Sequence, residues 1–202
     1  MSLDRRLVWQ NKADGRVAAW LMTGLQKMDA ALLSIPQVPD LNWRVRAVTD
    51  ADGDGRADLF WQHQTQGLVA VWRMNGFNVL DGSLRRAPVI TDLDWRLVGV
   101  SGEAFIGGRD AFTLYWQHDS DGRLAMWIVS QMEIRTGSLN GIVPDTNWKI
   151  CAMGDLDRDG LADYIWRHVV DGRVTVWLRR SSTNVVDLPA VSDTNWQLVG
   201  PR

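Results

Sequence analysis

Apolar and polar positions along the chain fall into short blocks, and the same set of blocks returns about every 50 residues. In the second copy, the run Gly67 to Met74 (G-L-V-A-V-W-R-M) is rich in β-branched and aromatic residues and follows a glycine, which predicts a strand. Leu59 to Trp61 and Trp95 to Val100 read as short strands bounded by Asp, Gly and Asn, and Phe77 to Leu80 as a weaker one. The spacing therefore predicts about four strands per repeat, with a hairpin turn such as HDSDGR (His118 to Arg123) between the first two. No stretch of ten residues shows convincing helical periodicity; Leu21 to Leu33 is the only candidate for a helix.

The repeat is most visible in the tryptophans. All 12 fall into three series of four: Trp9, Trp61, Trp116 and Trp166; Trp20, Trp72, Trp127 and Trp177; and Trp43, Trp95, Trp148 and Trp196. The first series reads LVWQN, LFWQH, LYWQH and YIWRH, so the three histidines, His63, His118 and His168, share one repeat position that Asn11 holds in the remaining copy. The second series follows a glycine each time (Gly15, Gly67, Gly122, Gly172), and the third follows D-x-N or D-x-D. A unit of this size cannot bury its apolar face alone, so stacking of repeats is expected, with approximate boundaries at 1–48, 49–100, 101–153 and 154–202.

Four-stranded units at this period predict an all-β fold, a β-propeller of four four-stranded blades. The first strand, Leu7 to Trp9, and the last, Trp196 to Val199, are in phase for the C-terminal strand to complete the N-terminal blade. The competing geometry is half of a larger propeller completed by a second chain. Composition agrees with loops and strands: the acids are 22 aspartates and only two glutamates, Glu103 and Glu133. The formal charge of −2 offers no basic footprint for nucleic acid. One cysteine, Cys151, excludes an intramolecular disulfide. No apolar run is long enough to span a membrane, and the opening MSLDRR has no apolar core of a signal peptide, so an export signal would lie outside this sequence.

Two acidic loops carry candidate chemistry. Asp50, Asp52, Asp54 and Asp58, and likewise Asp155, Asp157, Asp159 and Asp163, stand at positions 1, 3, 5 and 9 of a loop with glycine at 6. Closely spaced carboxylates repel without a counterion, and hard oxygen ligands suit calcium, with the carbonyls of Arg56 and Leu161 as further donors. Position 12 is Trp61 or Trp166 rather than glutamate, which excludes an EF-hand. The third junction, residues 101–110, keeps only Asp110, and Arg6 stands where the first copy's last aspartate would be, so about two structural calcium sites are expected.

These D-x-D-x-D-G-x-x-D loops within this repeat resemble FG-GAP or VCBS repeats, the calcium-loop propeller repeats also seen in integrin α-chain heads. The resemblance covers nearly all of the chain. It implies an extracellular or cell-surface β-propeller in which calcium holds blade loops, and the family includes propeller lectins as well as adhesion modules. The implied function is a non-catalytic binding module for carbohydrate, with a protein-binding or structural module as the alternative.

For ligand contacts, the candidates are His63, His118 and His168 with Gln62, Gln117 and Arg167, and the third-series Trp43, Trp95, Trp148 and Trp196. Alternation puts each histidine on the strand face of the tryptophan two residues before it, beside Trp61, Trp116 or Trp166, where three equivalent polar pockets are expected. The bland alternative is a histidine that satisfies loop groups at a strand end. The first two tryptophan series are expected to fill space between blades, and the third, launched by Asx-turns at Asp40, Asp92, Asp145 and Asp193, to lie near a rim. No G-x-S-x-G, Walker, H-E-x-x-H or C-x-x-C pattern occurs, which argues against an enzyme. The expected partner is a glycan or a cell-surface protein, without nucleic acid or membrane insertion, and self-association stays open.

Overall fold

A computed structural model describes residues 5–23, 26–86, 89–102, 111–131 and 133–195. The chain is all-β: four antiparallel sheets in the fold class of a four-bladed β-propeller, with the second, third and fourth sheets each taking their first strand from the end of the preceding sequence repeat. The first sheet contains β1 (Arg5–Gln10), β2 (Arg16–Thr23) and β3 (Gln26–Gln37). The second orders β4 (Trp43–Thr49), β5 (Asp58–His63), β6 (Val69–Asn75) and β7 (Asn78–Arg86). The third holds β8 (Trp95–Ser101), β9 (Ala111–His118), β10 (Arg123–Ser130) and β11 (Glu133–Ile142), and the fourth β12 (Trp148–Gly154), β13 (Asp163–His168), β14 (Val174–Trp177) and β15 (Val185–Leu188). Among the described residues the only helical turn is a 3-10 turn at Leu178–Arg180.

Each full sheet thus begins with its third-series tryptophan strand and continues through the first-series, second-series and weak strands. The first-series strands β5, β9 and β13 are buried at every position, so both of their faces carry apolar side chains. The outermost strands β3, β11 and β15 are almost wholly exposed, which explains why that segment leaves only a faint apolar pattern. The helix candidate at Leu21 to Leu33 is instead the end of β2 and most of β3, where pairing such as Ala19 with Ala31 and Trp20 with Ala30 outweighs local propensity. The strand expected at Trp196 to Val199 lies outside the described residues, as do the acids at Glu103 and Asp110.

Two compact units divide the chain: residues 1–93, 100–114 and 127–137, and residues 94–99, 115–126 and 138–202. In the first, Trp61 and Trp72 of the second sheet pack with Val17, Ala19 and Leu33 of the first, and Phe60 meets Phe112 edge-on at 5.0 Å. In the second, Val98, Tyr115, Ile150, Met153, Tyr164 and Trp166 form one cluster, and Ala152, Ile165, Val174 and Val176 another. Large apolar side chains from neighbouring repeats interlock, and at roughly 25 cal/mol per Å2 such burial dominates the stability of a repeat fold.

Backbone devices repeat with the side chains. The hairpin glycines Gly15, Gly67, Gly122 and Gly172 all have positive φ. Each also presses its Cα against a carbonyl one strand further on. A Cβ at Gly67 would stand 1.7 Å from the Ile90 oxygen, and the Gly67 oxygen accepts the Ile90 N–H at 2.8 Å. Val38, Val143 and Val191 repeat that hydrogen bond to Gly15, Gly122 and Gly172. Only glycine permits both the left-handed turn and the close approach.

Candidate functional site

The two acidic loops fold in the same way. Asp50 opens the first loop, and its carboxylate accepts the N–H groups of Gly53 at 2.7 Å and Gly55 at 2.8 Å. Asp155 opens the second and accepts those of Asp159 at 3.0 Å and Gly160 at 3.1 Å. The last aspartate of each loop begins a buried strand and ties the loop down. Asp58 accepts from Ala51 and Met74, both at 2.9 Å, and Asp163 from Leu156 and Arg179, both at 2.8 Å. Gathering both ends of the loop in this way brings the carboxylates of Asp50, Asp52 and Asp58 within 4.8 Å of one another, and those of Asp155, Asp157 and Asp163 likewise.

The fifth-position aspartates stand outside these triads. Asp54 accepts the Arg56 N–H at 2.8 Å and pairs with the Arg56 guanidinium at 3.2 Å. Asp159 accepts the Leu161 N–H at 2.8 Å and is ion-paired with Arg179. Arg56 and Leu161, expected as carbonyl donors, therefore also turn their amides onto the fifth aspartate. Arg73 reaches Asp52 at 3.5 Å from the edge of the first loop.

The donor chemistry fits a hard divalent cation: three carboxylates converge, with no sulfur or imidazole among them. Burial pushes the Asp58 carboxyl up to about 6, and the neighbouring Asp52 and Asp54 charges add to the rise. A cation shared with Asp50 and Asp52 would favour the ionised form of this buried carboxyl.

The histidine rings find their ring partners in the third tryptophan series. Strand pairing sets Trp43 opposite His63 and Trp148 opposite His168. The rings of Trp43, Trp95 and Trp148 meet those of His63, His118 and His168 edge-on at 5.0, 4.8 and 5.1 Å. All three histidines are buried. His63 Nε2 bonds to Asp40 at 2.8 Å and Nδ1 accepts the Gln66 N–H at 3.1 Å, which assigns the Nε2–H tautomer to the neutral ring. His168 meets Asp145 at 3.1 Å and Asp171 at 2.8 Å, and His118 meets Asp121 at 2.8 Å. Each histidine is thus a clamp at a strand end. Asx-turns hold Asp40, Asp145 and Asp193, whose carboxylates accept the N–H groups of Asn42, Asn147 and Asn195 at 3.0, 3.1 and 3.0 Å. Asn42 lowers the Asp40 carboxyl to about 2, with His63 adding to the shift.

Gln62, Gln117 and Arg167 are buried as well, and Gln117 is 0 % exposed. Its amide donates to the Trp148 carbonyl at 2.7 Å, and its oxygen accepts from Ile150 at 2.9 Å and Arg96 at 2.8 Å. Gln10 spans Trp43 and Val45 in the same manner at 2.8 and 3.2 Å. Both clamps seat just before a β-bulge, between Val45 and Ala47 in one strand and between Ile150 and Ala152 in the other. Arg167 binds the carbonyls of Val191 at 3.0 Å and Asp193 at 3.1 Å. Gln117 and Arg167, two of the residues expected in polar pockets, are therefore engaged by the protein's own backbone. The sequence carried the signal for this, since Gln or Arg follows every first-series tryptophan.

Trp61, Trp116 and Trp166 are each 1 % exposed, in keeping with an inter-repeat packing role, whereas Trp9 is 51 % exposed. Trp43 is buried and Trp95 and Trp148 are half-buried, so the third series is less open than a rim position implies; Trp196 lies outside the described residues. Arg123 and Arg173 lie over the Trp95 and Trp148 rings at 5.2 and 5.1 Å and pair with Asp121 and Asp171. Leu68 takes that place in the second repeat and is buried in the core with Trp43. No described helix is long and apolar enough to cross a membrane. A scan against protein-family models and searches of curated proteins and of solved structures found no match to this chain.

Proposed function

We propose that this chain is a calcium-stabilised, non-catalytic binding module whose ligand is carbohydrate displayed outside the cell. The observation that carries the calcium half is the convergence of Asp50, Asp52 and Asp58, and of Asp155, Asp157 and Asp163, at equivalent places in two repeats. Calcium there would bridge the loop to the start of a buried strand and hold the carboxylates ionised, which removes them as general acids. The carbohydrate half rests on the repeated rim of Trp95, Arg123 and Asp121 and of Trp148, Arg173 and Asp171. A half-buried indole offers an apolar face to a sugar ring, and a guanidinium and carboxylate fork suits vicinal hydroxyls.

The second reading, a module that binds protein, is favoured by the unequal repeats: buried Leu68 replaces the arginine in one rim. A calcium titration with calorimetric unfolding, with and without chelator, tests the first half. Uptake of about two ions with a rise in melting temperature is expected; no uptake and no shift would leave the loops as solvated turns. A glycan array tests the second half. Hits lost in Arg173→Ala support the rim, and a blank array at high protein concentration transfers the function to a protein partner.

A further inference from the structure

Three of the second-series strands run past their tryptophan with an apolar residue two places on: Met22, Met74 and Val129. Met74 and Val129 are 1 % and 0 % exposed. The fourth strand carries Arg179 at that place and stops at Trp177. A guanidinium buried there would lose its hydration without compensation. The chain turns instead at Leu178–Arg180, with positive φ at both Arg179 (53°) and Arg180 (60°). Left-handed backbone at two successive non-glycine residues is strained and persists only where surrounding contacts hold it.

The second acidic loop supplies those contacts. The Arg179 N–H donates to Asp163 at 2.8 Å, the Arg179 guanidinium is ion-paired with Asp159, and Arg180 donates to the Ala162 carbonyl at 2.7 Å. The first of these has a counterpart in the first loop, where the Met74 N–H donates to Asp58 at 2.9 Å. The guanidinium has none at the buried Met74. Its target is specific: Asp155, Asp157 and Asp163 converge within 4.8 Å, and Asp159, the loop carboxylate outside that triad, is the one Arg179 holds. In the first loop Arg73 is divided between two acids, 3.5 Å from Asp52 and 3.8 Å from Asp81.

We propose that Arg179 sets the affinity of the second loop as a tethered competitor of calcium, a built-in cation that holds Asp159 until the ion takes its place. The proposal rests on calcium as the ion of these loops. The guanidinium is repelled by a divalent charge among Asp155, Asp157 and Asp163, while the Asp159 carboxylate is attracted to it. Arg179 therefore gives up Asp159 on binding, and the strained Leu178–Arg180 turn loses one of the contacts that hold it. The turn is thereby coupled to occupancy of the loop.

Titration calorimetry with calcium chloride on the full chain tests this, comparing wild type with Arg179→Gln and with Arg158→Gln, which removes the same charge from within the loop. The Arg179 side chain is 61 % exposed, so its replacement leaves the core packing in place. Arg179→Gln is expected to tighten one of two sites roughly three- to tenfold, and Arg158→Gln to tighten it clearly less. In chelator Arg179→Gln is expected to melt below wild type, since the ion pair is gone, and in calcium that deficit is expected to vanish. A wild type that takes up two ions with affinities that Arg179→Gln leaves unchanged, or an equal gain from Arg158→Gln, overturns the competitor and leaves the calcium sites standing. No uptake by wild type or variant removes the calcium sites themselves, and the proposal with them.

Discussion

At the scale of single residues, Gln117 shows how a polar side chain becomes part of the core. It is fully buried, and its partners are the Arg96 guanidinium of β8 and backbone groups of β12 in the fourth sheet. Removing the amide strands the Ile150 N–H and the Trp148 carbonyl, so Gln117→Ala is expected to cost about 2–3 kcal/mol in urea unfolding. A loss under about 0.5 kcal/mol would mean that water takes over the clamp. The Asp40 carboxyl provides a pH-dependent counterpart. Its folded value of about 2 lies below the ordinary 3.8, chiefly because Asn42 donates to it. A depressed carboxyl contributes stability above its unfolded value and loses that contribution as pH falls through its folded one. The stability difference between wild type and Asp40→Asn should therefore narrow as pH falls from about 4 to about 2. A difference that stays constant or widens across that range would remove Asp40 as the source.

At the scale of the element, the hairpin joining the first- and second-series strands is set by its glycine. Gly53 in the first acidic loop also has positive φ, but a Cβ there meets nothing within 4 Å, whereas a Cβ at Gly67 meets the Ile90 oxygen at 1.7 Å. Gly53→Ala should therefore cost only the left-handed strain of about 1–2 kcal/mol, and Gly67→Ala more than about 3 kcal/mol as strand packing breaks. Equal losses in calorimetry would show that the strand after the turn simply yields. This contrast also marks what was legible in the sequence. Repeated tryptophans, glycines and D-x-N triplets announced the strand order and sheet number because each is a local choice imposed by the backbone. The convergence of the acidic loops was legible because their carboxylate spacing is local too. That the histidines satisfy loop groups at strand ends was one of the two readings the sequence offered; their ring partners and the glutamine clamps were not legible. His63 pairs with Trp43 rather than Trp61 because the partner is decided by register between strands, which alternation along one strand does not contain. Strand β3 was hidden for a related reason: exposed on nearly every residue, it has no apolar period to read.

At the scale of the whole molecule, the two carboxylate triads fall in different compact units, Asp50, Asp52 and Asp58 in one and Asp155, Asp157 and Asp163 in the other. Each triad draws all of its carboxylates from its own loop and the strand that the loop enters, so neither shares a ligand with the other. Sites without shared partners act additively. An ion present at a hundredfold excess over its dissociation constant adds about 2.7 kcal/mol to the state that binds it. Two such ions add about 5.4 kcal/mol, comparable with the whole net stability of many domains. Asp52→Asn and Asp157→Asn, each neutralising the middle ligand, are therefore expected to leave one ion bound and roughly half of the calcium-dependent stabilisation. The double variant is expected to bind none and to be indifferent to chelator. Titration calorimetry on the three variants decides the matter. One ion retained in each single variant establishes two self-contained sites, whereas loss of both ions in Asp157→Asn would require the loops to be coupled through the sheets, and the division of calcium between two separate units would have to be abandoned.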